Sequence, residues 1–301
     1  MRIGRAGLVA LVVAGSAAVA AEPTGKTFDG PGGKIWYEVR GGGTGRPLII
    51  VNGGPGFDHS YLVSSSVWDK LAKNRRVVMY DQRGMGKSYA LAAGAQNTLE
   101  EQIADLDGLR AALGADTFDL LGHSYGGYLA MAYTARNPQR VAHLMLLDSA
   151  APKWSETIFL FNQVFPESVE RQNSLGFASE LGDKAATDAT IKEYLGTLFY
   201  SPEKRDAFLK GWNPAAFKRE VNAALDKDLA RYDLNPEIRK FKMPTLVMTG
   251  RFDMNVAPLT AYKMAQAIPG ARFVVFEKSG HLPFLEEPDA FAAAVEDFLK
   301  R

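Results

Sequence analysis

The chain contains no cysteine, so no disulfide can brace it and no acylated thiol can anchor it; stability must come from the core. It lacks a surplus of either charge. With 35 basic and 34 acidic side chains interspersed, the net charge is +1, which excludes the basic face of a nucleic-acid binder and the acidic run of a solvating tail. It also lacks the apolar run of about 20 residues that a transmembrane helix requires. No fixed-period repeat or low-complexity segment follows the first residues, so solenoids and linker arrays are excluded as well. What remains is 301 residues, 47% of them hydrophobic, enough for a sizeable core and a small neutral partner.

The N-terminus reads MRIGRAGLVALVVAGSAAVAAEP, with Arg2 and Arg5 ahead of a short apolar run and small residues ending in Ala18-Val19-Ala20. These are the three parts of a secretory signal, with cleavage expected after Ala20 or Ala21. Residues 1–21 are therefore expected to be a signal peptide. The mature chain is expected to be periplasmic or secreted, with no stable membrane association; an uncleaved anchor is the alternative.

Beyond the signal, KIWYEVRG alternates and precedes the Gly41-Gly42-Gly43 loop, the pattern of a strand leaving a hairpin. PLIIVNG, RVVMYD, FDLLGHS, AHLMLLDS, TLVMTG and ARFVVFEKSG are short apolar runs bounded by turn residues, suited to strands buried on both faces. Helical patterns fall between them at residues 98–114, 125–137, 258–268 and 288–300. Alternating strand and helix predict an α/β fold with a mostly parallel, doubly wound sheet. Residues 151–240 break the alternation with several helical stretches, four proline-marked breaks and no convincing strand. They predict a helical cap between two parts of the core, residues 22–150 and 241–301, placed over the strand ends where an open sheet binds ligands.

Gly122-His123-Ser124-Tyr125-Gly126 fits G-x-S-x-G at the junction of a strand and a helix. A serine forced onto that turn projects its hydroxyl clear of the sheet, and the backbone N–H of Tyr125 points where an oxyanion would develop. A plain helix N-cap is the alternative reading of Ser124. A serine nucleophile needs a histidine base and an acid, in chain order Ser, Asp, His for this arrangement. Of four histidines, His143 opens a core strand, His59 lies in a loop, and His123 is expected to point away from its neighbour as adjacent strand residues do. His281, after the last strand, is the candidate base. Asp253, after the preceding strand, is the candidate acid, and Asp148, at the end of the strand before that, is the alternative. VNGGPG supplies a second oxyanion donor from Gly54, with Gly53 as the alternate. No metal and no cofactor is called for.

Taken together, NGGPG, YDQRGMGKS, GHSYGG, GRFD and SGH resemble the proline iminopeptidase branch of the α/β-hydrolase superfamily, over most of the chain from Lys34 onward. The resemblance implies the α/β-hydrolase fold, a serine aminopeptidase that removes N-terminal residues, often proline, and Ser124, Asp253 and His281 as its triad. Two positions depart from the pattern. Asn52 replaces the histidine that opens the family's HGGPG, and Met254 stands after the triad aspartate, where some relatives carry a glutamate. Glu220 and Asn52 are the candidate substrate contacts, Glu220 because a buried substrate ammonium needs a carboxylate. A carboxylesterase for small apolar esters is the alternative, and a hydrolase-fold binding protein with a dead site is the alternative of another class. Either substrate would be small, a peptide or an ester. Gly86-Lys87-Ser88 resembles the end of a phosphate loop, but that motif needs glycine where Asp81 stands. Asp81 and Arg83 are expected to fix the loop behind the site. An epoxide hydrolase or dehalogenase of this fold would carry aspartate in place of Ser124.

Overall fold

A computed structural model describes residues 24–92 and 97–300; the expected signal peptide lies outside the described residues. Among these residues eight strands run in chain order: β1 (Thr24–Gly30), β2 (Gly33–Arg40), β3 (Leu48–Val51), β4 (Val77–Tyr80), β5 (Phe118–His123), β6 (Val141–Leu147), β7 (Thr245–Gly250) and β8 (Arg272–Phe276). They form one sheet ordered β1-β2-β4-β3-β5-β6-β7-β8. The β1/β2 and β2/β4 pairings are antiparallel, and every pairing from β4 onward is parallel.

The parallel strands are apolar on both sides because helices cover both sides. Ile49, Val51, Val78, Leu120, Leu144 and Val247 face one core, under the helices Leu99–Ala112, Tyr125–Arg136 and Pro258–Ala267. Their neighbours Leu48, Ile50, Val77, Leu121, Met145 and Leu246 face the other, against Trp68 and the helix Pro288–Leu299. This period-2 division is what a strand in the middle layer of three must have. The helix Leu99–Ala112 starts at a reciprocal cap in which Thr98 accepts from the Glu101 N–H and the Glu101 carboxylate accepts from the Thr98 N–H.

Strand β1 has no counterpart in the apolar pattern. TGKTFDG offers one large apolar side chain, and it becomes a strand by extending the β2 ladder from Thr24↔Val39 to Gly30↔Gly33 at the sheet edge.

Between β6 and β7 the described chain is helical, including Pro166–Glu180, Lys184–Gly196, Pro202–Gly211 and Arg219–Leu229. Pro166 and Pro202 open two of these helices, where the missing N–H costs nothing. Among the described residues no helix is long and apolar enough to cross a membrane. The carboxyl ends of β3, β5, β6, β7 and β8 lead into Asn52–Gly54, Ser124, Asp148, Asp253 and His281, so the topology gathers the chemistry at one edge.

Candidate active site

Ser124 sits at φ 57°, ψ −123°, in a region that non-glycine residues occupy only when their surroundings impose it. Its N–H donates to the Leu147 carbonyl at 3.0 Å, and its carbonyl accepts from Gly127 and Ala150, so backbone on three sides holds the turn. The turn is possible because the helix can approach β3: a Cβ on Gly126 would lie 2.2 Å from the Val51 carbonyl oxygen. Ser124 starts the helix Tyr125–Arg136, yet its side chain caps nothing. The hydroxyl is left without a hydrogen-bond partner among the described residues, which a helix cap would not be.

The ring of His281 is buried, and its Nδ1 lies 2.7 Å from Oδ2 of fully buried Asp253. Oδ1 of the same carboxylate accepts from the N–H groups of Asn255 and Val256, both at 2.9 Å. Asp253 is therefore oriented by the turn it begins, and in turn fixes the imidazole with Nδ1 protonated and Nε2 facing the cavity. In this state Nε2 is 3.3 Å from Nδ2 of Asn255, whose Oδ1 accepts from the Tyr194 hydroxyl in the cap.

His123 departs from the expectation that it points away. Its ring centroid is 4.7 Å from that of His281, and its Nε2–H donates to the His281 carbonyl at 2.8 Å. Strand alternation ends where Ser124 takes its positive φ, so adjacent side chains no longer diverge. The Nδ1 of His123 accepts from the Tyr61 hydroxyl at 2.7 Å, and the Tyr61 oxygen accepts from the Gly53 N–H. The His281 carbonyl, which can only accept, fixes the Nε2–H tautomer. One chain of hydrogen bonds thus joins the glycine turn after β3 to the backbone of His281. It also engages the Gly53 N–H, whereas the Gly54 N–H and the Tyr125 N–H, at the unpaired start of its helix, have no hydrogen-bond partner among the described residues.

Burial, and next the adjacent His281, hold the His123 imidazole well below the usual histidine range, so it is neutral in the fold. The unfolded chain binds that proton near 6.5 and the folded one does not. Stability is therefore complete above that pH and is lost as pH falls below it, by at most about 1.4 kcal/mol per pH unit. Unfolding curves taken between neutral and mildly acid pH should steepen this way in the wild type and flatten in His123→Gln. Equal pH slopes in the two proteins would refute it.

The cap closes over these groups. Tyr194, Leu195, Leu198 and Phe208 from the cap meet Phe57 and Leu282 from the core around a cavity of about 40 Å³ that also touches Ser124, His281, Gly53 and Gly54. That space suits ordered water and is far below the roughly 300 Å³ of a typical ligand site, so a substrate must displace cap side chains. The cap also grips the loop of His281. The Leu198 carbonyl accepts from the His281 N–H at 2.8 Å, and Glu286 accepts from the N–H groups of Tyr200, Ser201 and Gly280. A Cβ on Gly280 would lie 2.4 Å from the Leu198 carbonyl oxygen, so this contact requires glycine.

Two expected substrate contacts are not in the cavity. Asn52 is fully buried: its Nδ2 donates to the carbonyls of Gly53 and Phe57, and Gln82 donates to its Oδ1 and carbonyl. It shapes the glycine turn and has no free polar atom for a ligand. Glu220 is exposed at the first turn of the helix Arg219–Leu229, whose inward face is held by its buried neighbour Val221. Among the described residues no carboxylate lines the cavity itself. Asp81 and Arg83 hold the loop behind the site: Asp81 accepts from His59 and the Lys87 N–H, and buried Arg83 makes a two-pronged pair with Asp105 at 2.7 and 2.9 Å. Tyr61, Asn255, Tyr194 and Glu286 carry no sequence signal of their role. One group of metal-binding residue types occurs among the described residues, His123, Asp148 and His281, and every ring nitrogen in it already has a hydrogen-bond partner.

Residues 46–288 match the family model of the alpha/beta hydrolase fold. A proline iminopeptidase of Heyndrickxia coagulans is 30% identical over 291 residues, covering 90% of this chain and 97% of that protein. One from Clostridioides difficile is 28% identical, covering 89% and 95%. Among solved structures, a thermophilic esterase of Thermogutta terrifontis superposes with a TM-score of 0.69 at 27% identity, covering 93% of this chain and 98% of its own.

Proposed function

Because the chain belongs to the α/β-hydrolase fold family, in its proline iminopeptidase-like branch, we propose that its hydrolysis runs through an acyl-enzyme on Ser124. His281 Nε2 takes the serine proton as Oγ attacks the substrate carbonyl, and returns it to the leaving group. Asp253 holds the imidazole and stabilises the imidazolium. The N–H groups of Gly54 and Tyr125 receive the oxyanion, and water attacking along the same path frees the acid. The observation that carries this reading is a strained, unbonded serine hydroxyl sharing a small cavity with a buried Asp-His pair. Because the Asn255 amide lies 3.3 Å from Nε2, it must release that nitrogen before Ser124 can use it.

On substrate, the branch supports an aminopeptidase that releases N-terminal residues from short peptides. One observation favours a second reading, a carboxylesterase for small apolar acyl groups: beside Ser124 and the histidines, the cavity walls offer aromatic and aliphatic side chains and, among the described residues, no carboxylate for a charged amine. Turnover of prolyl and alanyl arylamides against short acyl arylesters separates the two. Arylamide cleavage is expected for the peptidase; ester cleavage with arylamides untouched would assign the esterase. The signal-like N-terminus supports action in the periplasm or outside the cell.

A further inference from the structure

Asp148 ends β6 beside the triad and has no part in the steps above. It is fully buried and held at φ 44°, one of two non-glycine residues with positive φ among those described. Its backbone N–H donates to the Met248 carbonyl and its Oδ1 accepts from the Gly250 N–H, both at 2.9 Å. Its Oδ2 is also buried and receives no hydrogen bond.

The surroundings show why no donor reaches it. A carboxylate oxygen of Asp148 lies within 4.8 Å of ring nitrogens of both His123 and His281. His123, at the end of β5, has committed its one proton to the His281 carbonyl, and His281, after β8, gives its Nδ1 proton to Asp253. The Thr249 hydroxyl lies within reach of the Asp148 carboxyl as well as 3.4 Å from the Gly250 carbonyl, yet it leaves Oδ2 without a bond. The remaining charged neighbour, after β7, is the Asp253 carboxylate, within hydrogen-bonding reach of Asp148. An ionised carboxylate only accepts, so two ionised groups there would repel without a bond between them.

We propose that Asp148 is a neutral carboxylic acid at working pH, donating its Oδ2–H to the Asp253 carboxylate and thereby positioning the acid of the triad. The inference rests on the Asp253–His281 reading of the site. It accounts for the bare oxygen, since a protonated Oδ2 is a donor and its partner is in reach. Burial and then the charge of Asp253 push the Asp148 carboxyl well above the usual carboxylate range, in the same direction. The site then holds one negative charge, on the carboxylate that serves His281, and the two aspartates divide the work of holding it and orienting it.

The infrared spectrum of the wild type at neutral pH, minus that of Asp148→Asn, should contain a carboxylic-acid C=O band assignable to residue 148. Because an amide replaces a neutral acid without changing charge, Asp148→Asn should keep kcat within about tenfold and leave the acid limb of kcat/KM against pH in place. Asp148→Leu, which cannot donate, should lose more than tenfold in kcat with little change in KM. Absence of the band, or an acid limb displaced by about a full pH unit in Asp148→Asn, would mean that Asp148 is charged and would overturn the proposal. Failure of the triad reading looks different: Ser124→Ala would retain turnover, while the infrared band, which needs no substrate, would stay.

Discussion

Ser124→Ala should lose about a millionfold in kcat against any ester or arylamide the wild type turns over, leaving only what the oxyanion donors and binding contribute. The variant should fold with an unchanged melting temperature, because alanine meets the same backbone strain at φ 57° and the hydroxyl it removes has no hydrogen bond to lose. Ser124→Gly sharpens the experiment. Glycine adopts positive φ freely, so this variant should be as inactive as the alanine one and more stable than wild type by on the order of 1 kcal/mol. Loss of activity coupled to a gain in stability is the signature of strain kept for chemistry. A variant that kept wild-type turnover would remove Ser124 from the mechanism and return it to the role of a helix start. The same pair of variants separates an enzyme from a binding protein on this fold, since a binding protein would show the stability change with no activity to lose.

Asp253→Asn should cost about ten-thousandfold in kcat with little change in KM. The amide would still accept from the Asn255 and Val256 N–H groups through its oxygen, so the turn should survive. What changes is the group facing His281 Nδ1: an N–H now points at it, Nδ1 must accept, and the proton moves to Nε2. An imidazole protonated at Nε2 cannot take the serine proton. Asp148→Asn is the natural control, expected to be mild. If Asp253→Asn were mild and Asp148→Asn severe, the acid of the triad would have to be reassigned to the end of β6. Steady-state kinetics on the two variants, with melting curves to confirm folding, decide between them.

The parallel sheet could be read from sequence because strands buried on both faces have to be continuously apolar, and the flanking helices because their apolar stripe is set by one core. TGKTFDG could not, since an edge strand is recruited by backbone pairing and leaves no apolar trace. Ser124, Asp253 and His281 were legible through their order along the chain and their places at strand ends, which the fold's connectivity brings to one edge. Tyr61, Asn255 and Glu286 were not. Each acts across a long sequence separation on a backbone group or a ring nitrogen, and a tyrosine, an asparagine and a glutamate so used look like any others. The expectation for His123 failed at one dihedral angle: alternation holds only while the chain is extended, and the turn at Ser124 ends the strand. Charge alone points to Glu220, and charge near a site in sequence does not determine which face of a helix a residue occupies.

The grip of the cap on the loop of His281 has a consequence for how such proteins can be recombined. Leu198, Tyr200 and Ser201 take part through backbone groups, which meet the His281 N–H and the Glu286 carboxylate, so on the cap side the fit depends on chain path more than on side-chain identity. A cap transplanted from a relative to change substrate preference would arrive with its own path at this junction and displace the histidine. Residues 198–204 and 280–287 therefore form a single inheritable module, and a graft should carry both segments or neither.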